Sequence, residues 1–176
     1  LTSSDADTSS QTCVRCLYDT SILGVTFGPT GECSYCALHD EMDVQYPTGS
    51  GGELALQKAV DEMKEAGRGN EFDCILGVSG GCDSSYLAHS MVDRGLRPLA
   101  VHFDNTWDSS IATNNIYTIL DQLDVPLETF VVDNYEYDDI HRAFIESGVR
   151  DLEAPTDIGF MGVLYRAAEQ HNVKYI

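Results

Sequence analysis

Residues 74–90 read CILGVSGGCDSSYLAHS, and this stretch constrains the fold more than any other. A short apolar run, FDCILGV, reads as a buried strand. It stops at Ser79-Gly80-Gly81, and a helix follows at once. The pattern then repeats. RPLAVHFD reads as a strand, SSIATNNIYTILDQLD as a helix capped by Ser109 or Ser110, PLETFVVD as a strand, and YEYDDIHRAFIESG as a helix closed by Gly148. IGFMGVLYRAAEQHN reads as a further helix and VKYI as a further strand. Strands alternating with helices of this length predict an α/β fold, a parallel sheet with helices on both faces and right-handed crossovers.

A turn from a buried strand into a helix is an anion site. The first helical N–H groups lack partners, and the dipole places its positive end there. Gly80 and Gly81 leave the backbone open to phosphate oxygens, and Ser79 and Ser84 add hydroxyl donors. Asp83 would repel a phosphate unless a Mg²⁺ bridges the two. The spacing is neither GxxxxGK[ST] nor GxGxxG. The end of the second strand, His102 to Asn105, should face the same site. In open α/β sheets ligands sit beyond the carboxyl ends of the strands. Turn formation alone also accounts for Asp104 and Asn105.

A second constellation lies near the N-terminus. CVRC (13–16) and CSYC (33–36) allow Cys13, Cys16, Cys33 and Cys36 to converge tetrahedrally on one Zn²⁺. Between them Val25 and Phe27 alternate like a strand and GPTG turns the chain back, as in a zinc ribbon or knuckle. Such a closed site holds structure and activates no water. The spacing also admits an iron–sulfur cluster or redox pairs. His39 is a spare ligand or a surface residue. Cys74 reads as inert core, and Cys82 as a small residue filling the loop unless the helix terminus activates it.

The net charge is −19, from 29 acidic and 10 basic residues. That argues against nucleic acid, whose phosphates need clustered Lys and Arg. Only three lysines occur, which suits a high-salt cytoplasm and an ordinary acidic soluble protein equally. No run approaches a membrane span and no signal peptide is visible, so a cytoplasmic location is expected. The chain opens with Leu and ends on an apolar run, and we expect a piece of a longer protein, truncated at its C-terminus. The expected organisation is a disordered tail over 1–11 and a zinc knuckle over 12–46. A linker with an amphipathic helix follows over 47–71, where PTGSGGE forms a flexible joint and 53–66 the helix. The α/β domain covers 72–176.

The loop SGGCDS after a buried strand resembles the pyrophosphate loop of the N-type ATP pyrophosphatases, the PP-loop superfamily. Its members include synthetases of GMP and NAD formation, asparagine synthetase and tRNA thiolases. The wider order narrows the resemblance. CVRCLYDTS, VTFGPTGECSYC, FDCILGVSGGCDSSYLAH, VHFDNTWDSSIATNNI and APTDIGFMGVLYRAAEQHNVKYI together resemble the N-acetyl sugar amidotransferases, ligases of surface-polysaccharide, lipopolysaccharide and nonulosonic acid biosynthesis. The resemblance runs from about residue 12 to the end.

It implies ATP, Mg²⁺ and Zn²⁺ as cofactors. ATP and its pyrophosphate are bound by Ser79, Gly80, Gly81, Cys82, Asp83, Ser84, His102, Asp104 and Asn105, with Asp83, Ser79 and Ser84 in catalysis and Asp83 on magnesium. Thr156 or Asp157 faces the site or caps a helix. A separate glutaminase subunit supplies ammonia, an N-acetyl nucleotide sugar is the substrate, and self-association is left open. A tRNA thiolase using Cys82, or a non-catalytic zinc-bearing nucleotide-binding module, are the alternatives.

Overall fold

The computed structural model describes residues 10–176, so the tail expected over 1–11 lies, but for its last two residues, outside the described residues. The described chain forms two compact units, one reaching to Gln57 and one spanning Lys58–Ile176.

In the first unit, antiparallel bridges join Thr12 to Asp19 and Phe27 to Cys33. The GPTG turn closes through Gly28 N–H on the Glu32 carbonyl (2.8 Å) and Gly31 N–H on Gly28 (3.0 Å). Val25 and Phe27 pack against Cys13, Cys33 and Cys36, the arrangement expected of a ribbon. A helix not foreseen from sequence follows: α1, Ser34–Gln45. Its Ala, Leu, Glu and Met are good helix formers, and Pro47 lies just beyond its end.

The helix expected over 53–66 begins earlier. α2 spans Gly49–Ala66 and takes in most of the stretch expected as a flexible joint. Glycines cost roughly 1 kcal/mol each in a helix, but extending a formed helix fixes one residue per bond gained.

The second unit holds a three-stranded parallel sheet in the order β1-β2-β3, with β1 Cys74–Gly77, β2 Pro98–Asp104 and β3 Leu127–Val131. Cys74 pairs with Pro98 and Ala100 with Leu127. Side chains alternate across the sheet. Ile75, Leu99 and Val101 point into a core with Leu164, Ala167 and Ala168 of α6, Ala154–Gln170. Leu76 and Ala100 point the other way, onto Ala88 of α3 (Cys82–Asp93) and Ile116 and Leu120 of α4 (Ser110–Leu123). Helices thus cover both faces. Each fully buried aliphatic side chain contributes about 1.5–3 kcal/mol. α5, Asn134–Glu146, is capped by Asp133, whose carboxylate accepts from Tyr135 and Glu136 N–H. Ser109, not Ser110, caps α4.

VKYI does not form the expected strand. It runs beside β1 with one backbone bond, Ile75 N–H to the Tyr175 carbonyl at 2.9 Å, and one bond makes no ladder. α6 starts at Ala154, four residues before the expected point, with Pro155 in its first turn, where a missing N–H costs nothing.

At the amino end of the sheet Asp73, buried, grips Arg97. Its oxygens accept from the Arg97 side chain at 2.6 and 3.1 Å and from the Arg97 backbone N–H at 2.8 Å. The guanidinium goes on to the carbonyls of Asn70 and Gly67, tying the segment after α2 to the start of β2.

Candidate functional site

The loop after β1 runs through Val78 and Ser79 into α3, whose N-cap is Gly81. The two glycines differ. Gly80 has φ +73°, and a Cβ there would overlap the carbonyl of Ala112 in α4. Asn115 Nδ2 also donates to the Gly80 carbonyl (3.1 Å). Packing by itself therefore requires glycine at position 80. Gly81 has φ −80° and ψ 167°, a conformation any residue adopts. A Cβ on it would meet only Ser79 Oγ, at 3.6 Å. No protein neighbour demands glycine there.

No side chain caps α3. The hydroxyls of Ser84 and Ser85 donate back to the Gly81 carbonyl at 3.3 and 2.7 Å, and Ser84 Oγ lies 3.4 Å from Ser79 N–H. Ser84 therefore braces the loop. Asp83, in the first turn, is exposed, as is Cys82, with Cys82 Sγ 3.9 Å from Asp83 Oδ1.

Beyond the carboxyl ends of β1 and β2 lies a cavity of about 220 Å³. Ser79, His102 and Asn105 line it, joined by Thr156 and Asp157 from the first turn of α6. Those five sequence candidates meet here; Gly80, Gly81, Cys82, Asp83, Ser84 and Asp104 do not line it. His102 is buried. Its Nδ1 donates to the Val78 carbonyl (3.1 Å), which can only accept, and its Nε2 faces the Asp108 carboxylate at 3.4 Å. Asp104 Oδ1 accepts from Thr106 N–H (2.8 Å) and Asn105 Oδ1 from Trp107 N–H (3.0 Å), so both shape the turn after β2. Thr156 Oγ1 is hydrogen-bonded to Tyr137 OH at 2.6 Å.

Sequence reasoning did not single out Val78, Asp108 or Phe160, which also line this cavity. Asp108 sits in the loop between the β2 end and the Ser109 cap, where the polar run gives a weak signal. Phe160 lies against Gly77, where a Cβ would overlap its ring, a long-range packing that no local pattern signals. No Lys or Arg lines the cavity. A phosphate bound there would have to bring its own cation.

In the first unit the Sγ atoms of Cys13, Cys16, Cys33 and Cys36 all lie within 4.8 Å of one another. Three of the edges are 3.8 Å (Cys13–Cys36), 3.6 Å (Cys16–Cys33) and 3.7 Å (Cys33–Cys36). A tetrahedron with Zn–S bonds near 2.3 Å has edges of about 3.8 Å, so the donor set fits a single zinc ion. Burial opposes ionisation of Cys13, but N–H groups of Arg15, Cys16 and Cys33 bring its thiol down to about 6. Burial and the neighbouring sulfurs push Cys36 up to about 12. His39 does not join the cluster; it pairs with Asp43 on α1 at 3.3 Å. Burial raises the Cys74 thiol to about 11, with the Asp73 charge adding to it, which suits inert core.

No protein-family model and no curated protein matches this sequence. Solved structures do. A glutamine-dependent NAD⁺ synthetase from Acinetobacter baumannii, solved with adenosine diphosphate, superimposes with a TM-score of 0.54 at 19% identity. The match covers 67% of this chain and 23% of that one. That likeness establishes the fold. It is a parallel α/β sheet with helices on both faces, as the strand–helix order predicted. An NMN synthetase from Francisella tularensis (TM-score 0.46, 23% identity, 66% of this chain) and an NH₃-dependent NAD synthetase from Campylobacter jejuni (0.47, 19%, 66%) are also similar. The chain spans about half the length of these last two. Among the described residues no helix is long and apolar enough to cross a membrane.

Proposed function

We propose that this chain is the ATP-using part of an amidotransferase that converts the acetamido group of an N-acetyl nucleotide sugar into an acetamidino group. The observation that carries the reading is the open backbone at Gly81, at the mouth of an uncapped helix and two residues from Ser79 in the 220 Å³ cavity. Protein packing explains Gly80. Close approach of a ligand explains Gly81.

On this reading the β and γ phosphates lie over Ser79 to Ser84, held by the first N–H groups of α3. Mg²⁺ neutralises phosphate charge when bound. Among the described residues Asp83 is not part of any converging group of three protein ligands. That fits an ion held by one or two carboxylates and the phosphates themselves. His102, Asn105 and Asp108 border the nucleoside side.

The acetamido oxygen attacks the α-phosphorus, the α–β bond breaks, and pyrophosphate leaves, giving an O-adenylyl imidate. Ammonia adds to the imidate carbon, AMP departs with the oxygen, and loss of a proton leaves the amidine. The protein positions the reactants and balances charge. Ammonia comes from a separate glutaminase. Zinc in the Cys₄ group folds the knuckle.

Incubation with ATP, Mg²⁺, ammonia and a nucleotide-linked N-acetyl sugar should release AMP and pyrophosphate and yield an amidine seen by mass spectrometry. Release of ADP and phosphate, or turnover indifferent to ammonia, overturns the reading. The exposed thiol of Cys82 favours one competitor, a tRNA thiolase. Pyrophosphate release that needs tRNA, with sulfur transfer lost in Cys82→Ser, would establish it instead.

A further inference from the structure

β3 has a neighbour on one side only, because the order β1-β2-β3 leaves it at the edge of the sheet. Ala100 N–H donates to the Pro126 carbonyl at 2.9 Å, and Val132 N–H to the Asp104 carbonyl at 3.1 Å. Backbone groups alternate in direction along a strand, so Glu128 and Phe130 also turn theirs to β2. Leu127, Thr129 and Val131 turn theirs outward, with no partner among the described residues. Native edges are blunted by Lys, Pro or a bulge. The strand LETFV has none of these, its register is unbroken, and Thr129, Phe130 and Val131 are exposed. Such an edge is a template for another strand.

The side chains say which strand fits. Two copies of β3, antiparallel about a two-fold axis through Thr129, overlap over the whole strand. Leu127 then lies opposite Val131 of the second copy, and Thr129 opposite Thr129. These are the residues whose N–H and C=O groups point outward, so each facing pair exchanges both of its hydrogen bonds. Apolar side chains meet apolar ones, and Thr beside Thr is a favourable cross-strand pair. Glu128 falls opposite Phe130. A register centred on Glu128 would set like charges against each other, and one centred on Phe130 would put Leu127 against Asp133, the cap of α5.

Charge favours the same occupant. Glu128 and Phe130 share the face that α6 covers. One oxygen of Glu128 meets His171 Nε2 at 2.7 Å, and Arg166 lies over the Phe130 ring at 5.9 Å. Arg166 has no carboxylate partner among the described residues, in a chain with 29 acidic and 10 basic residues. Glu128 of the second copy, opposite Phe130, comes beside that guanidinium. We propose that the open edge of β3 is a self-association surface, which takes β3 of a second copy antiparallel and joins the two sheets into one. The contact is isologous and closes as a dimer.

The test measures the mass of the full chain by sedimentation equilibrium and its amide exchange by NMR. Repulsion between two chains of charge −19 opposes pairing, so the dimer should strengthen from about 50 mM to about 0.5 M salt. In the dimer the amides of Leu127, Thr129 and Val131 should become protected. Those of Glu128 and Phe130, already bonded to β2, should not change. Thr129→Glu sets two carboxylates together at the axis and should weaken the dimer about tenfold or more. Arg166→Glu should weaken it about twofold to fivefold, and Glu128→Lys in the same chain should restore it. Thr129 and Arg166 are exposed, so circular dichroism should stay unchanged. If a variant unfolds, the exchange pattern of the wild type decides. A chain still monomeric at about 1 mM in high salt overturns the proposal. So does a dimer in which the Leu127, Thr129 and Val131 amides still exchange fast, since another face would then pair. Protection of those amides in a monomer at every concentration means that a segment of the same chain covers the edge, and overturns it too.

Discussion

The carbonyl of Ala112 occupies the place a side chain on Gly80 would need. The neighbouring Gly81 has no such obstacle, so the two glycines of one loop answer to different demands. Gly80→Ala should destabilise the fold. A left-handed φ costs a non-glycine residue roughly 1–2 kcal/mol, and the overlap adds to it. The expected Tm loss is several degrees, at about 2–4 °C per kcal/mol. Gly81→Ala should leave Tm unchanged and weaken ATP binding about tenfold or more, the scale of 1.4 kcal/mol. Equal Tm losses in both variants would remove the argument for ligand approach at Gly81.

Asp83 is exposed and bonded to no part of the core, so Asp83→Ala should fold normally. It should lose pyrophosphate release and the Mg²⁺ dependence of ATP binding. Trp107 is the sole tryptophan and lies between Asn105 and Asp108, both on the cavity wall. Its fluorescence should therefore shift when ATP binds to wild type, and the shift should fade in Asp83→Ala. Unchanged turnover in that variant would overturn the magnesium role.

The Cys₄ group should hold one zinc per chain by elemental analysis, and Cys33→Ser should lose it. Metal and protons compete for the sulfurs. With Cys36 at about 12 and Cys13 at about 6 in the metal-free chain, zinc uptake at pH 7 must expel protons. Affinity should fall as pH is lowered, most steeply below about 6, where Cys13 also takes up a proton. Chelator competition across pH 5 to 7.5 measures this, and a flat profile would contradict it.

Removing the Asp73 carboxylate leaves Arg97 without its buried partner while its own charge remains half in water. Asp73→Ala should cost roughly 2 kcal/mol, less than a fully buried pair, because the stranded guanidinium stays solvated. Thermal melts check it, and a loss within about 0.5 kcal/mol would show the clamp to be idle.

The strand–helix order from Cys74 to Gln170 was legible because its period and caps agree: β-branched runs, Ser109 and Gly148 each mark a boundary by local chemistry. The cysteine ribbon was legible from spacing alone. α1 was not, since turn formers on its N-terminal side and Pro47 after it masked twelve residues of moderate helix propensity. The Gly49–Gly52 stretch misled, because composition suggested a joint where helix propagation prevailed. At the site, the strand ends pointed to His102 and Asn105, which line the cavity. Asp108 and Phe160 depend on where a loop and α6 return to the sheet, which no local pattern encodes. Asp104 does not line the cavity, and its carboxylate closes its own turn.

The sheet register sets the order in which these parts can appear during synthesis. Cys74 meets Pro98 only twenty-four residues later, and Ala100 meets Leu127 after twenty-seven, so β1, β2, β3 and the glycine turn after β1 can assemble while the chain is still emerging. The wall made by Thr156 and Asp157 must wait for α6 to swing back across nearly ninety residues to reach Ile75. On a nascent chain the turn after β1 can thus form before the cavity wall that α6 supplies. Closure of that chamber is the late, long-range step on which rates of maturation should depend.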